Sequence, residues 1–427
     1  MSVLVISPDY ASHLLPMASL ATAWQAAGED VVVATGEATA PIVARFGYRR
    51  EHLPLGRGAN AGVIRSAEQE ASEAASLEGF FAATREGMVE TLAYQARERL
   101  TDLMWRPVDR ARATLSLIER VQPDTILVDH LAFGARLALH TAGISYNDVV
   151  LGHPSALPVA GEVYGYPPAW PAAFSPDPAA LAALRTLCDD VAERFSAQWN
   201  TAAAELDAAA PAVDDAFALH GGTVLYNYPS ALAAGDGRVL PPHLFLGWTP
   251  RDEDAAGVEG WIAEAGPFVY VSFGSFLSVR GDVLARVAAA LRRAGLRAAI
   301  ATGTTSPGDL GPIPGDWLVA PYLPQVRLLA AAAAVVTHGG NNSVTEAFGQ
   351  AVPMLVLPFS TDQFAGAAAI ERTGVGLALD PNTADVDALA AALGALSDPQ
   401  FAGRAVLAEA AGDQRPGPAL AYETLSR

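Results

Sequence analysis

The sequence predicts an α/β protein of two domains, each a mostly parallel sheet covered by helices, facing each other across a cleft. Three observations predict it. A chain of 427 residues, 51% of them hydrophobic, exceeds what one ordinary core holds. Short β-rich apolar runs alternate with helical periods, the pattern of parallel sheets covered on both faces. A stretch rich in proline, glycine and acidic residues separates two such series.

In the first series, residues 3–7 read as a strand, 8–12 as a break, 14–27 as a helix and 30–34 as a second strand, a βαβ unit. Residues 56–120 are helix-rich and carry no clear strand. A buried strand follows at 125–129, a helix at 131–142, a Pro-, Gly- and aromatic-rich loop at 147–178 and a last strand at 223–228. This gives a first domain over residues 1–238 and a connection over 239–265. The second domain, 266–408, alternates with little insertion: strands at 268–273, 297–301, 317–320, 334–337 and 354–357, helices at 282–295, 325–332, 342–350 and 363–372. In such sheets ligands bind beyond the carboxyl ends of the strands.

The net charge of −19 excludes a nucleic acid or an anionic membrane surface as partner, because either is repelled over the whole molecule. Cys188 stands alone, so no intramolecular disulfide forms, which fits a reducing compartment. The opening MSVLVISPDY lacks a signal peptide's charged start and cleavage site, and no apolar run reaches transmembrane length. A cytoplasmic protein without integral membrane association is expected. Asp-X-Asp runs at 252–254 and 385–387 read as solvated surface and a helix start, so no metal is expected. A Gly-X-Gly-X-X-Gly turn after the first strand is absent, which counts against a nicotinamide enzyme.

The sharpest local signal is VVTHGGNNSVTEAF at residues 335–348, where an apolar strand ends in His338, two glycines and a helix start. Glycine lets the backbone approach a ligand, and the free N–H groups and dipole of the helix favour an anion. This is a phosphate site in outline. His338 can donate to a diphosphate oxygen and Ser343 can add its hydroxyl, while Glu346, one turn past Asn342, can accept from ribose hydroxyls. A plain Gly-Gly turn with an Asn cap is the alternative reading of the same residues.

With APYLPQ at 320–325 and VLPFSTDQ at 356–363, the second half resembles the donor domain of the family 1 glycosyltransferases, which use UDP- or dTDP-sugars. The resemblance lies in an aromatic-X-Pro-Gln element, a Glu eight residues after the His, and an Asp-Gln pair beginning 24 residues after it. It implies the GT-B fold of two Rossmann-like domains, with residues 409–427 forming a helix that returns to the first domain. It also implies that Tyr322 stacks on the base, that the backbone of Leu323 pairs with its edge, and that Gln325 and Glu346 hold the ribose. His338, Gly340, Asn341, Asn342 and Ser343, with Gly274 and Ser275 of VSFGSF at 271–276, face the diphosphate; Asp362 and Gln363 bind sugar hydroxyls. Tyr322 stands where the family more often has Trp.

His13, in SHLLP at 12–16 between the first strand and the first helix, matches the family's catalytic base, although Ser12 replaces its usual Gly. An alcohol needs such a base as its oxygen attacks. A helix N-terminus disfavours the imidazolium, which keeps His13 neutral. Asp129, at the end of its strand, is the expected carboxylate partner, with Asp124 and His130 as neighbours that could be confused with it. Trp105, Phe133, His153, Tyr164, Tyr166 and Trp170 are candidate acceptor-lining residues, though aromatics serve equally as core. The resemblance thus implies an inverting hexosyltransferase, monomeric or a homodimer, without metal or other cofactor. Its co-substrates are a nucleotide sugar and a small hydrophobic natural-product-like acceptor. UDP is favoured over dTDP because Gln325 and Glu346 suit a ribose with both hydroxyls. A catalytically silent helper of the same fold and a nucleotide-sugar epimerase are the rival classes.

Overall fold

The computed structural model describes residues 2–60, 71–249, 251, 253–255, 257–264, 266–412 and 415–426. One sheet holds β1 (Ser2–Ile6), β2 (Asp30–Thr35), β3 (Arg49–His52), β4 (Thr125–Asp129), β5 (Asn147–Val150), β6 (Val224–Tyr226) and β7 (His243–Phe245), in the order β3-β2-β1-β4-β5-β6-β7. The other holds β8 (Phe268–Ser272), β9 (Arg297–Ala301), β10 (Leu318–Ala320), β11 (Ala334–Thr337), β12 (Met354–Val356) and β13 (Gly376–Ala378), in the order β10-β9-β8-β11-β12-β13. Every pairing is parallel. Strand order reverses between β1 and β4 in one sheet and between β8 and β11 in the other. Crevices open at those reversals, beyond the carboxyl ends of the strands. His13 follows β1, Asp129 ends β4, Gly274 follows β8 and His338 follows β11.

The central strands are near-continuous in Val, Ile, Leu and Ala because helices cover both faces. The helix Gly281–Arg293 shows how one is covered. Val283, Leu284, Val287, Ala288 and Leu291 form a buried stripe, Asp282 sits in the first turn and two arginines in the last, so packing and dipole agree.

Four strands fall where the sequence predicts none or a loop, among them the edge strand β13 of the second sheet. β5 lies at the head of the 147–178 stretch, β7 inside 239–265, and β3 reads Arg-Arg-Glu-His with no apolar signal at a sheet edge. The first sheet therefore runs to Phe245, seven residues past the expected domain end. The first helix begins at Ala11, three residues earlier than expected, which puts His13 in its first turn. At the other terminus the helix Gly417–Leu425 lies on the first domain, where Tyr422 packs edge-on against Trp24 and its hydroxyl donates to Glu29 at 2.8 Å.

Under the cleft, the first domain carries a buried ion pair. Arg136 Nε is 2.9 Å from Asp148 Oδ1, both side chains at most 1% exposed, and Arg136 also donates to the carbonyls of His130 and Leu219. Arg136→Met leaves Asp148 buried without its partner and is expected to cost about 3–5 kcal/mol in urea unfolding. An Arg136→Met/Asp148→Val double variant should recover much of that loss. Equal stability of the single variant and the wild type would show the pair to be dispensable.

Candidate active site

β1 and β4 are neighbours in parallel register, so the segments after both open on the same edge. That adjacency places His13 Nδ1 2.7 Å from Asp129 Oδ2, across 116 residues of sequence. Asp129 is fully buried and also accepts from the Leu131 N–H at 2.9 Å. Burial pushes its pKa up, but the charge and hydrogen bond of His13, with His130 and the Leu131 N–H, hold it below the usual carboxylate range. His13 itself is 19% exposed. Burial lowers its pKa, while Asp129, through charge and hydrogen bond, and Asp362 raise it; the net shift is upward. The expectation that the helix dipole keeps His13 neutral is therefore corrected, since two carboxylates outweigh a partial charge. In the neutral ring Nδ1–H donates to Asp129, so Nε2 is left as the acceptor. Asp124 lies at the opposite end of β4, bonded to the Ser2 N–H at 2.7 Å, and is removed from the cleft.

Across the cleft the helix Asn341–Gly349 starts from Gly340 with no side-chain cap, leaving its first-turn N–H groups open. His338 is clasped between two glycines. A Cβ at Gly274 would lie 2.8 Å from its Cε1, and one at Gly340 would overlap its Nε2. Gly274 and Gly339 have φ of +68° and +85°, which side chains resist. Burial holds the His338 pKa down to about 4, so the ring is neutral and offers an N–H. Ser343 Oγ lies 3.4 Å from Gln325 Oε1, and the Ser275 side chain falls outside the described residues. The two asparagines differ from expectation. Asn341 Nδ2 donates to the Asn227 carbonyl at 3.0 Å and Asn342 Nδ2 to the Ser12 carbonyl at 2.9 Å. Both side-chain amides point at the first domain, so they join the domains beside His13.

At the far end of the cleft Tyr322 is 67% exposed and Leu323 is buried. Glu346 is engaged: Gln325 Nε2 donates to Oε2 at 2.7 Å, and Arg251 donates to both oxygens, at 2.7 and 3.2 Å. Arg251 also pairs with Glu253, which accepts from the Val326 N–H at 2.8 Å and the Tyr322 hydroxyl at 3.2 Å. Glu253 is only 4% exposed, which corrects the reading of 252–254 as solvated surface. Asp252 lies outside the described residues. Asp385 caps the helix Val386–Ser397, and no cluster of metal-ligating side chains occurs among the described residues.

Between the domains lies a cavity of about 200 Å³ lined by His13, Arg99, His130, Tyr164, Tyr166 and Asp362, among others. Asp362 accepts from the His153 N–H at 2.6 Å and the Thr361 hydroxyl at 2.9 Å, and burial raises its pKa. Thr361 holds φ +51°, a strained conformation for a β-branched residue. Gln363 departs from its expected role on a sugar. Its oxygen accepts from the N–H groups of Phe359 and Ser360 and its nitrogen donates to Ser360 Oγ, so it holds the turn before Asp362. Tyr164 and Tyr166 line the cavity as expected; Trp105, Phe133, His153 and Trp170 do not. Phe133 is core, 2% exposed against Phe195 and Phe217, and Trp105 lies under Arg110. Trp170 packs on the helices flanking the cavity, and His153 reaches the site only through its backbone. No local motif marks Arg99, His130 or Arg251 as site residues.

Residues 244–408 match the model of the UDP-glucoronosyl and UDP-glucosyl transferase family. Over that region, the second domain and the end of the first sheet, the chain is similar to the family 1 glycosyltransferases. It is 30% identical over 224 residues to the oleandomycin glycosyltransferase of Streptomyces antibioticus, covering 50% of this chain and 52% of that one. It is 26% identical over 399 residues to the L-demethylnoviosyl transferase of Streptomyces niveus, covering 92% and 88%. The matches span about half or less of the length of the first curated relatives. Among solved structures, the spinosyn rhamnosyltransferase SpnG complexed with thymidine diphosphate superposes with TM-score 0.68 at 20% identity over the whole of both chains, and the fold is GT-B. No helix among the described residues is long and apolar enough to cross a membrane.

Proposed function

We propose that this protein transfers a hexose from a nucleoside diphosphate sugar to a hydroxyl of a small, largely apolar, natural-product-like acceptor, with inversion. What supports this most is that the His13–Asp129 pair and the open start of the helix Asn341–Gly349 face one cleft, linked through Asn342 and Ser12. In this reading His13 Nε2 takes the acceptor proton as the oxygen attacks the anomeric carbon. Asp129 stabilises the imidazolium that forms. The glycosidic oxygen leaves with the diphosphate, whose charge is met by the helix N–H groups and the His338 N–H. One displacement inverts the anomeric centre, so an α-linked donor yields a β-glycoside. The experiment is nucleoside diphosphate release from UDP-glucose and dTDP-glucose with a panel of phenolic acceptors. Acceptor-dependent release that His13→Ala abolishes is expected; tight nucleotide binding without release from any acceptor would favour a silent helper.

The engagement of Glu346 supports a reading in which dTDP is the preferred nucleotide. A carboxylate accepts about four hydrogen bonds, and Arg251 and Gln325 supply three. One site suits a ribose with one free hydroxyl, which is deoxythymidine diphosphate. Thymidine diphosphate is expected to bind about tenfold more tightly than UDP, whose second ribose hydroxyl gives up water and finds no acceptor on Glu346, a cost of about one hydrogen bond, and Arg251→Ala is expected to narrow the gap. Equal affinities in calorimetric titration would refute this use of Glu346.

A further inference from the structure

We propose that the acceptor is an acid whose hydroxyl reacts at His13, and that Arg99, on the wall of the same cavity, anchors its carboxylate. The proposal rests on the transferase reading and names the acceptor class within it. Arg99 lies on the helix Met88–Asp102 and lines the cavity together with His13. Its guanidinium stands 4.6 Å over the ring of Tyr164 and against Gly165, at φ +89°, where any Cβ would overlap it. The position is thus built around the cation, held in one orientation by aromatic stacking.

The cation has little to hold. Its only protein hydrogen bond among the described residues is a long one, 3.4 Å from Nη1 to the Tyr164 carbonyl, and no carboxylate pairs with it. An arginine has five N–H donors. The other arginines of the interior are satisfied differently: Arg136, Arg238, Arg251 and Arg280 each meet a carboxylate. The carboxylates nearest the cavity are committed elsewhere, Asp129 to His13 and Asp362 to the His153 N–H and Thr361. A planar fork of unpaired donors is complementary to a carboxylate, which it binds bidentately. The remaining wall, with Tyr164 and Tyr166, suits a flat ring, and about 200 Å³ admits a ligand of one or two rings. A phenolic acid, hydroxyl toward His13 and carboxylate toward Arg99, satisfies both side chains.

The test compares 4-hydroxycinnamate with its methyl ester as acceptors, for wild type, Arg99→Gln and Arg99→Lys. Wild type is expected to favour the acid by roughly 10- to 100-fold in kcat/KM, the range for a hydrogen-bonded charge. Arg99→Gln should collapse that ratio through KM, and Arg99→Lys should restore part of it. A ratio unmoved by Arg99→Gln, or a wild-type preference for the ester, overturns the proposal, whereas a role confined to propping Tyr164 would lower both acceptors alike. The acid's dissociation constant, measured with thymidine diphosphate present, is read independently of turnover. If Arg99→Gln weakens acid binding while no acceptor is glycosylated, the acid site stands and the transferase reading falls. If transfer proceeds without regard to the carboxylate, the reverse holds.

Discussion

His13→Ala is expected to lower kcat by about 10²–10⁴-fold, the usual worth of a positioned general base, with little change in nucleoside diphosphate affinity. The side chain lines the cavity between the domains, and the helix start proposed to hold the diphosphate belongs to the other domain, so turnover and donor binding should separate. The pH profile carries the finer test. His13 works only when neutral, and its pKa is raised because Asp129 and Asp362 together outweigh burial. Activity should therefore fall, as pH is lowered, through a pKa above the ordinary imidazole value of 6.5. Asp129→Asn removes the charge that raises it, so the acid limb should move to lower pH even as kcat drops through loss of ring orientation. An acid limb that stays in place in Asp129→Asn would mean that another group titrates there.

The turn proposed as the donor side of the site is legible in the sequence because its residues are contiguous. A strand end, two glycines and a helix start occupy 14 residues, and local rules convert them into an anion-binding turn. The His13–Asp129 pair is legible one level up. Its members are 116 residues apart, but each follows the end of a buried strand, and parallel sheets bring such ends to one edge. Side-chain partners chosen across the cleft leave no such trace. Nothing local to Arg251 announces that it will cover Glu346, 95 residues away, nor that Gln363 will fold back on Phe359 and not face the cleft. The aromatics mislead for the same reason: Phe133 and Tyr164 are equivalent as text, and only the packing of Phe195 and Phe217 around Phe133 makes one of them core. The short strands β5 and β7 escape because three or four residues carry too little pattern; they exist because a neighbouring parallel strand is already there to pair with.

Gly340→Ala is expected to lower kcat/KM for the donor by on the order of 10²-fold, through displacement of a group the mutation does not itself remove. At φ −63° and ψ 141° the backbone of Gly340 accepts alanine without strain, so the folded state should keep nearly its wild-type melting temperature. The added methyl instead meets the Nε2 and Cε1 edge of the His338 imidazole, the edge that Gly274 also approaches. The ring must tilt, and the N–H proposed to meet the diphosphate moves with it. A His338→Ala/Gly340→Ala double variant separates this from a direct effect on the helix start. If the methyl acts through the ring, the double variant should be no worse than His338→Ala alone, since both changes remove one interaction. A Gly340→Ala enzyme with wild-type donor kinetics would show that His338 takes no part in holding the diphosphate.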